Sequence, residues 1–323
     1  MNLVIVATLT AVVLTLLSGV VYVDFLKKKM FGQQIRDCVP ENHQKKSGTP
    51  TSGGVFIVLS ATTAAIIGLV LAQEFSKSAC IVLMTFVFYM FAGLTDDVLK
   101  ITRRQNEGLT PRGKLFLQTA TALLPAVYVY LSGNTALDFC GYSFDLGWFY
   151  PAFAIFLIVG VSNAVNLTDG LDGLASSNVM ISMIACTIFA LVSKQTDLAI
   201  ISASAAGACG AFLYFNKFPA KVFMGDTGSL ALGGLLGTLA VAGKFELWLI
   251  PIGFIYMGET LSVMLQVASY KLTGKRIFKM TPIHHHFELS GIKETGIVLM
   301  FSAVTFAFSA FATYLFITTK SVH

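Results

Sequence analysis

Charge is what this sequence has least of. Only 12% of its 323 residues are Asp, Glu, Lys or Arg, against 55% hydrophobic, and the mean hydropathy is +0.75. A soluble domain carries about 25% charged residues. Half that share excludes an ordinary soluble fold and indicates a chain that crosses a bilayer repeatedly. The short alternating segments that mark barrel strands are missing too. The apolar runs are long and continuous, so helices must satisfy the backbone in hydrocarbon. Cysteine is scarce: Cys38, Cys80, Cys140, Cys186 and Cys209 are scattered, odd in number and without a C-x-x-C pair. That excludes a disulfide framework or a cysteine metal site, and they read as small core residues. No basic residue precedes the first apolar run, whereas Lys27, Lys28 and Lys29 follow it. This order is the reverse of a secretory signal and reads as a retained first helix with its N-terminus outside.

What is there is a series of apolar runs. Ten spans are expected, at 2–23, 53–72, 79–95, 115–132, 148–165, 175–193, 198–214, 228–243, 246–269 and 296–318. Each is near the ~20 residues that cross ~30 Å of hydrocarbon. The expected fold is therefore all-α, one integral-membrane unit over 1–323. Span 228–243 is short and glycine-rich; Gly233 and Gly237 match G-x-x-x-G, which tight helix packing explains. Ten spans place both termini on the extracytoplasmic side. Loops 24–52, 96–114, 166–174, 215–227 and 270–295 then share the other side and hold 18 of the 22 Lys and Arg residues. Only Lys77, Lys194, Lys244 and Lys320 fall elsewhere. This bias makes the first set cytoplasmic. It also accounts for the net charge of +5 without a nucleic-acid partner.

The unusual polar residues fall on that cytoplasmic set. "YMFAGLTDDVLK" (89–100) ends an apolar run on Asp96 and Asp97, which open the second loop. "NAVNLTDGLDGLA" (163–175) holds Asn166, Asp169 and Asp172 at intervals of three. On a helical turn these would share one side. "MGDTGS" sets Asp226 at a helix start, where backbone N–H groups favour anions. Asp226 is there either an N-cap or a metal ligand. Hard oxygen ligands on loops suit Mg²⁺ held by one or two carboxylates plus substrate phosphates.

His284, His285 and His286 are consecutive, so they lack the i, i+4 spacing of a helical zinc site. Pro282 just before them argues for a loop or a helix start. Imidazoles in such a place suit hydrogen bonds to phosphate or sugar. Basic residues accompany the acids: Lys45 and Lys46 beside Thr49 and Thr51, then Lys100, Arg103, Arg104, Arg112 and Lys114. Singly, each reads as a solvated cytoplasmic charge. Together with the acids and glycines they indicate diphosphate chemistry. Glu259, inside an apolar span, is a functional candidate by its position alone. A helix break near Gly258 would instead let it cap backbone groups.

These motifs, from "KKSGTPTSGG" through "GLTDDVLK", "NLTDGLDGLA" and "FMGDTGSLALG" to "KMTPIHHHFELSG", resemble those of the polyprenyl-phosphate N-acetylhexosamine-1-phosphate transferases. The resemblance runs nearly end to end, and "PIHHHFE" is similar to the muramoyl branch. Ser52 is a departure, standing where many relatives carry methionine. The resemblance implies transfer of phospho-MurNAc-pentapeptide from UDP-MurNAc-pentapeptide to undecaprenyl phosphate, giving lipid I and UMP. It also implies Mg²⁺, ten helices, a homodimer and a plasma-membrane site facing the cytoplasm.

By the resemblance, Asp226 is the leading magnesium ligand. Asp96 and Asp97 form a catalytic pair that ligates metal or handles the acceptor's proton. Asn166, Asp169 and Asp172 position the uridine and diphosphate, and Phe223 stacks on uracil or packs in the core. Asn216, Lys46, Thr51, Lys100, Arg112, Lys114 and the three histidines bind phosphate or sugar. Direct attack of the lipid phosphate is expected over a covalent aspartyl intermediate. Two other classes fit less well. A secondary transporter would place its acids near the bilayer midplane, often in inverted repeats. A sibling GlcNAc-1-phosphate transferase is disfavoured by the triple histidine.

Overall fold

The computed structural model describes residues 2–31, 49–103 and 108–322. Lys45, Lys46 and Arg104 lie outside the described residues. The described chain is helical apart from one hairpin. In order come α1 (Asn2–Phe31), α2 (Gly54–Ala72), α3 (Lys77–Arg103), α4 (Pro111–Leu131), β1 (Ala136–Phe139), β2 (Tyr142–Asp145), α5 (Tyr150–Thr168) and α6 (Leu174–Val192). Then follow α7 (Thr196–Asn216), α8 (Gly225–Gly243), α9 (Leu249–Ile252), α10 (Phe254–Thr273), α11 (Ile283–Glu288) and α12 (Glu294–Val322).

Eight of these helices are long and apolar enough to cross a membrane, or nine if the bent pair around α9 and α10 is one span. Large apolar side chains such as Leu17, Val21, Leu71, Phe156 and Leu299 are exposed, as lipid-facing residues should be. α8, the expected eighth span, forms but is not among those eight or nine. It is the central helix, packed against α2, α3, α4, α5, α6 and α7, and almost wholly buried. A helix shielded from lipid needs small residues more than apolar ones. A Cβ on Gly233 would lie 2.7 Å from the Ser162 Cα, and one on Gly237 2.8 Å from the Ile158 Cα. The G-x-x-x-G pattern is thus helix packing.

Three expectations change. The second loop was to open at Asp96, but α3 runs on to Arg103, so Asp96 and Asp97 are buried helical residues. Apolar periodicity ends there because that face turns from lipid to a polar interior. The ninth span breaks at Gly253, not near Gly258, with an 81° bend between the segments on either side. Pro251 and Gly253 stand at the bend, and proline cannot donate to the helical ladder. Finally, the α4–α5 connection forms a strand pair with Ala136 opposite Asp145 and Phe139 opposite Tyr142. Its two-residue turn, Cys140–Gly141, has positive φ at both positions (50° and 83°). That is the backbone of a type I′ hairpin.

Candidate active site at the N-terminus of α8

α8 begins at an acidic, lysine-rimmed cavity of about 450 Å³. Its wall includes Thr51, Lys100, Asp169, Phe223 and Asp226. The first turn of α8 is deeply inserted. A Cβ on Gly54 would fall 2.0 Å from the Gly228 nitrogen, so α2 and α8 meet backbone to backbone. Gly225 has φ +72°, and a Cβ there would lie 2.5 Å from Asp97 Oδ2.

Asp97 explains that approach. Its Oδ1 accepts the Asp226 N–H (3.1 Å), and its Oδ2 accepts the Thr227 N–H (3.1 Å), the Thr227 hydroxyl (2.6 Å) and the Ser52 hydroxyl (3.2 Å). A carboxylate from another helix therefore caps α8, satisfying first-turn donors that no local side chain reaches. Ser52, in left-handed backbone (φ 71°), adds a donor to the same oxygen.

Asp226 is consequently not an N-cap. Its Oδ2 meets Lys114 Nζ at 2.7 Å and Lys100 Nζ at 3.1 Å, and its Oδ1 accepts from Asn166 Nδ2 at 2.9 Å. Lys100 also pairs with Asp96 Oδ2 at 2.6 Å, one helical turn back. One ammonium thus stands between two carboxylates. Asp96 Oδ1 takes the Leu109 N–H at 2.8 Å.

Asp96, Asp97 and Asp226 each offer an oxygen within 4.8 Å of the others. The donor set is hard oxygen only, which suits Mg²⁺ rather than zinc or copper. The Lys100 ammonium bridging Asp96 and Asp226 is a cationic stand-in in the same cluster, so these residues fit such an ion. Asp169, beside them, has its carboxyl pushed well above the usual carboxylate range. Burial is the main cause; Asp226 and Asp97 add to it, and the Gly225 backbone opposes it.

The "NLTDGLDG" segment departs from the expected single helical turn. Asn166 lies in the last turn of α5, Asp169 leaves the helix (ψ 49°), and Gly173 has φ +83°. Its polar residues diverge. Asn166 holds Asp226 and Ser229. Asp172 Oδ2 accepts the Ala220 N–H at 2.9 Å. Asn216 accepts from the Gly173 N–H (3.1 Å) and Ser176 (3.0 Å) and donates to the Val222 carbonyl (3.0 Å). Asn216 therefore ties two loops together, and its amide is already engaged by protein.

Phe223 lines the cavity, its backbone fixed by Pro50 and Gly53. Arg112 is exposed and makes no ion pair among the described residues. The histidines separate. His285 faces Glu288, and His286 Nδ1 accepts from the Lys279 N–H. His284 is fully buried against Glu259. Pro282 is the N-cap of α11, so of the loop or helix start expected there the helix start is what forms. Ser52 and Thr227 were missed as site residues; the only sequence signal was their adjacency to the glycine motifs.

Residues 79–244 match the family described as Glycosyl transferase family 4. The chain is 47% identical to a phospho-N-acetylmuramoyl-pentapeptide-transferase of Bacillus subtilis over 308 residues, covering 94% of each chain. It is 47% identical to the protein of that name from Bacillus licheniformis over 291 residues, 89% of this chain and 90% of the relative. With that of Geobacillus thermodenitrificans it shares 43% over 317 residues, 97% and 98%. Identity of this order along nearly the whole chain, with the acid cluster inside the matched region, means that the chain belongs to the phospho-N-acetylmuramoyl-pentapeptide-transferase family.

Proposed function

We propose that this protein transfers phospho-MurNAc-pentapeptide from UDP-MurNAc-pentapeptide to undecaprenyl phosphate, producing lipid I and UMP. The observation that carries the reading is the cluster of Asp96, Asp97 and Asp226 with Lys100 and Lys114, of which Asp97, Lys100 and Asp226 line one cavity. Carboxylates and ammoniums in one recess suit a diphosphate whose charge shifts during reaction. With α8 and the bent segment counted, the chain makes ten spans. Both termini then lie outside, and the cavity faces the cytoplasm of the plasma membrane, as the lysine bias requires. The enzyme works as a homodimer.

Asp226 and Asp96 would hold Mg²⁺, which when bound would supply positive charge to the diphosphate and to the departing UMP. Asp97 keeps the α8 N-terminus, and hence Asp226, in register. Lys100 and Lys114 turn from the carboxylates to donor phosphate oxygens. Phe223 stacks on uracil, and Asp169 and Thr51 contact the donor. The lipid phosphate, with a second pKa of about 6, is already mostly dianionic at pH 7 and needs no strong base. Its oxygen attacks the sugar-bearing phosphorus. The bond from that phosphorus to the bridging oxygen breaks, and UMP leaves with that oxygen. No aspartyl intermediate is required.

The test is UMP release by purified protein in detergent with undecaprenyl phosphate, given UDP-MurNAc-pentapeptide or UDP-GlcNAc, with and without Mg²⁺. Release is expected only with the muramoyl donor and Mg²⁺. Release with UDP-GlcNAc would move the chain to the sibling activity. A trapped phospho-sugar-enzyme adduct would overturn direct attack.

A further inference from the structure

Glu259 and His284 form a buried pair that the mechanism above leaves unused. Glu259 lies on α10, beyond the bend, and His284 on α11; both are 0% exposed. His284 Nδ1 is 2.9 Å from Glu259 Oε1, and the His284 backbone N–H points to Oε2 at 3.5 Å. Two donors from one residue thus face one carboxylate. With Glu259 as a carboxylate and the ring neutral, Nδ1 is the donor and the other ring nitrogen, Nε2, is left as an acceptor.

That Nε2 is buried without a hydrogen-bond partner among the described residues. Its neighbour is Gly170, where a Cβ would fall 2.2 Å from Nε2. Gly170 is itself exposed and lines the cavity between Asp169 and Leu171. One residue without a side chain therefore separates an unpartnered imidazole nitrogen from the candidate active site. Buried polar atoms are almost always satisfied, so an orphan beside a cavity points to a ligand atom that completes it.

We propose that Glu259 is a positioning residue for the sugar-nucleotide donor. It locks His284 as the Nδ1–H tautomer, so that Nε2 accepts a hydrogen bond from a hydroxyl or amide N–H of the donor's sugar–peptide part as the Gly170 turn shifts aside. The idea rests on the transferase reading and specifies it. Of the three histidines, His284 touches the donor; the contact is to an uncharged donor group, not to phosphate. His285 and His286, engaged by Glu288 and the Lys279 N–H, stay outside it. The pair also joins the bent membrane segment to the acid-bearing turn.

The experiment is a double-variant cycle on full-length protein in detergent. Glu259→Gln, His284→Asn and the pair are assayed for UMP release, with separate KM values for UDP-MurNAc-pentapeptide and undecaprenyl phosphate. Each single variant is expected to raise the donor KM about tenfold, with the acceptor KM unchanged. The pair should be no worse than His284→Asn alone, and Glu259→Asp should recover part of the loss. Additive effects, or equal rises in both KM values, would overturn the proposal. Should the variants not fold, the wild-type protein decides. The ¹⁵N signal of His284 Nε2 must start as an unprotonated ring nitrogen and move on adding the donor; a protonated or unmoved signal overturns the proposal. An active wild type with an additive cycle sinks only this inference, whereas a wild type that ignores the muramoyl donor sinks the transferase reading.

Discussion

α8 carries a carboxylate–lysine cluster at each end, and the two are built differently. At its C-terminal end Glu246 Oε1 meets Lys244 Nζ at 2.6 Å and the Tyr150 hydroxyl at 2.6 Å, and Lys244 also stacks 4.2 Å above the Tyr150 ring. One acid balances one base there. At the N-terminal end Asp96, Asp97 and Asp226 face two lysines, with Asp169 beside them. Surplus negative charge in a cavity is costly unless something positive arrives. The balanced end is a structural lock; the unbalanced end invites a cation and a phosphate.

The sharpest way to break that contrast is Asp226→Asn. It should lower UMP release by about a thousandfold or more, as removal of a principal electrostatic group does, while the thermal midpoint in detergent hardly moves. A variant whose thermal midpoint falls while its turnover stays unchanged would reverse the two roles. Next is Lys244→Met, which leaves Glu246 buried without its countercharge. The expected cost is on the order of 3–5 kcal/mol of stability, with both KM values intact, and adding Glu246→Gln should recover much of it. Thermal unfolding of the single and double variants measures this directly.

A smaller effect is expected from Phe223→Ala. If the ring stacks on the donor's base, donor affinity falls about tenfold, or roughly 1–3 kcal/mol, and acceptor affinity does not change. Isothermal titration with the donor alone tests it; equal loss for both substrates would mean that the ring merely packs. Smallest is Ser52→Ala. It removes one of four donors to Asp97, a net hydrogen bond of about 0.5–1.5 kcal/mol, so activity should drop no more than several-fold. A larger loss would show that Asp97 does more than hold the helix.

The Asp97 cap shows where reading the chain stops. "TDDV" made both aspartates look alike, as one pair at a loop entrance for metal or proton. Which one faces the lysine and which one caps α8 depends on the helix continuing to Arg103 and on α8 inserting at Gly54. Likewise the spacing of Asn166, Asp169 and Asp172 is compatible with one helical face, until the chain leaves the helix at Asp169 (ψ 49°) and the three go to different partners. Glu259 stood out by its position, but its partner lies 25 residues away on a separate short helix.

By itself the sequence determined the solvent the protein lives in, the number and position of its long helices, and the residue types that meet at the site. Those follow from apolar run length, charge placement and local motif, which neighbouring residues along the chain suffice to express. Only the tertiary structure decided which acid caps, which pairs with lysine and which histidine is buried. Each of those outcomes depends on groups far apart in sequence competing for the same few hydrogen-bonding positions. Packing around the central glycine-rich helix settles that competition.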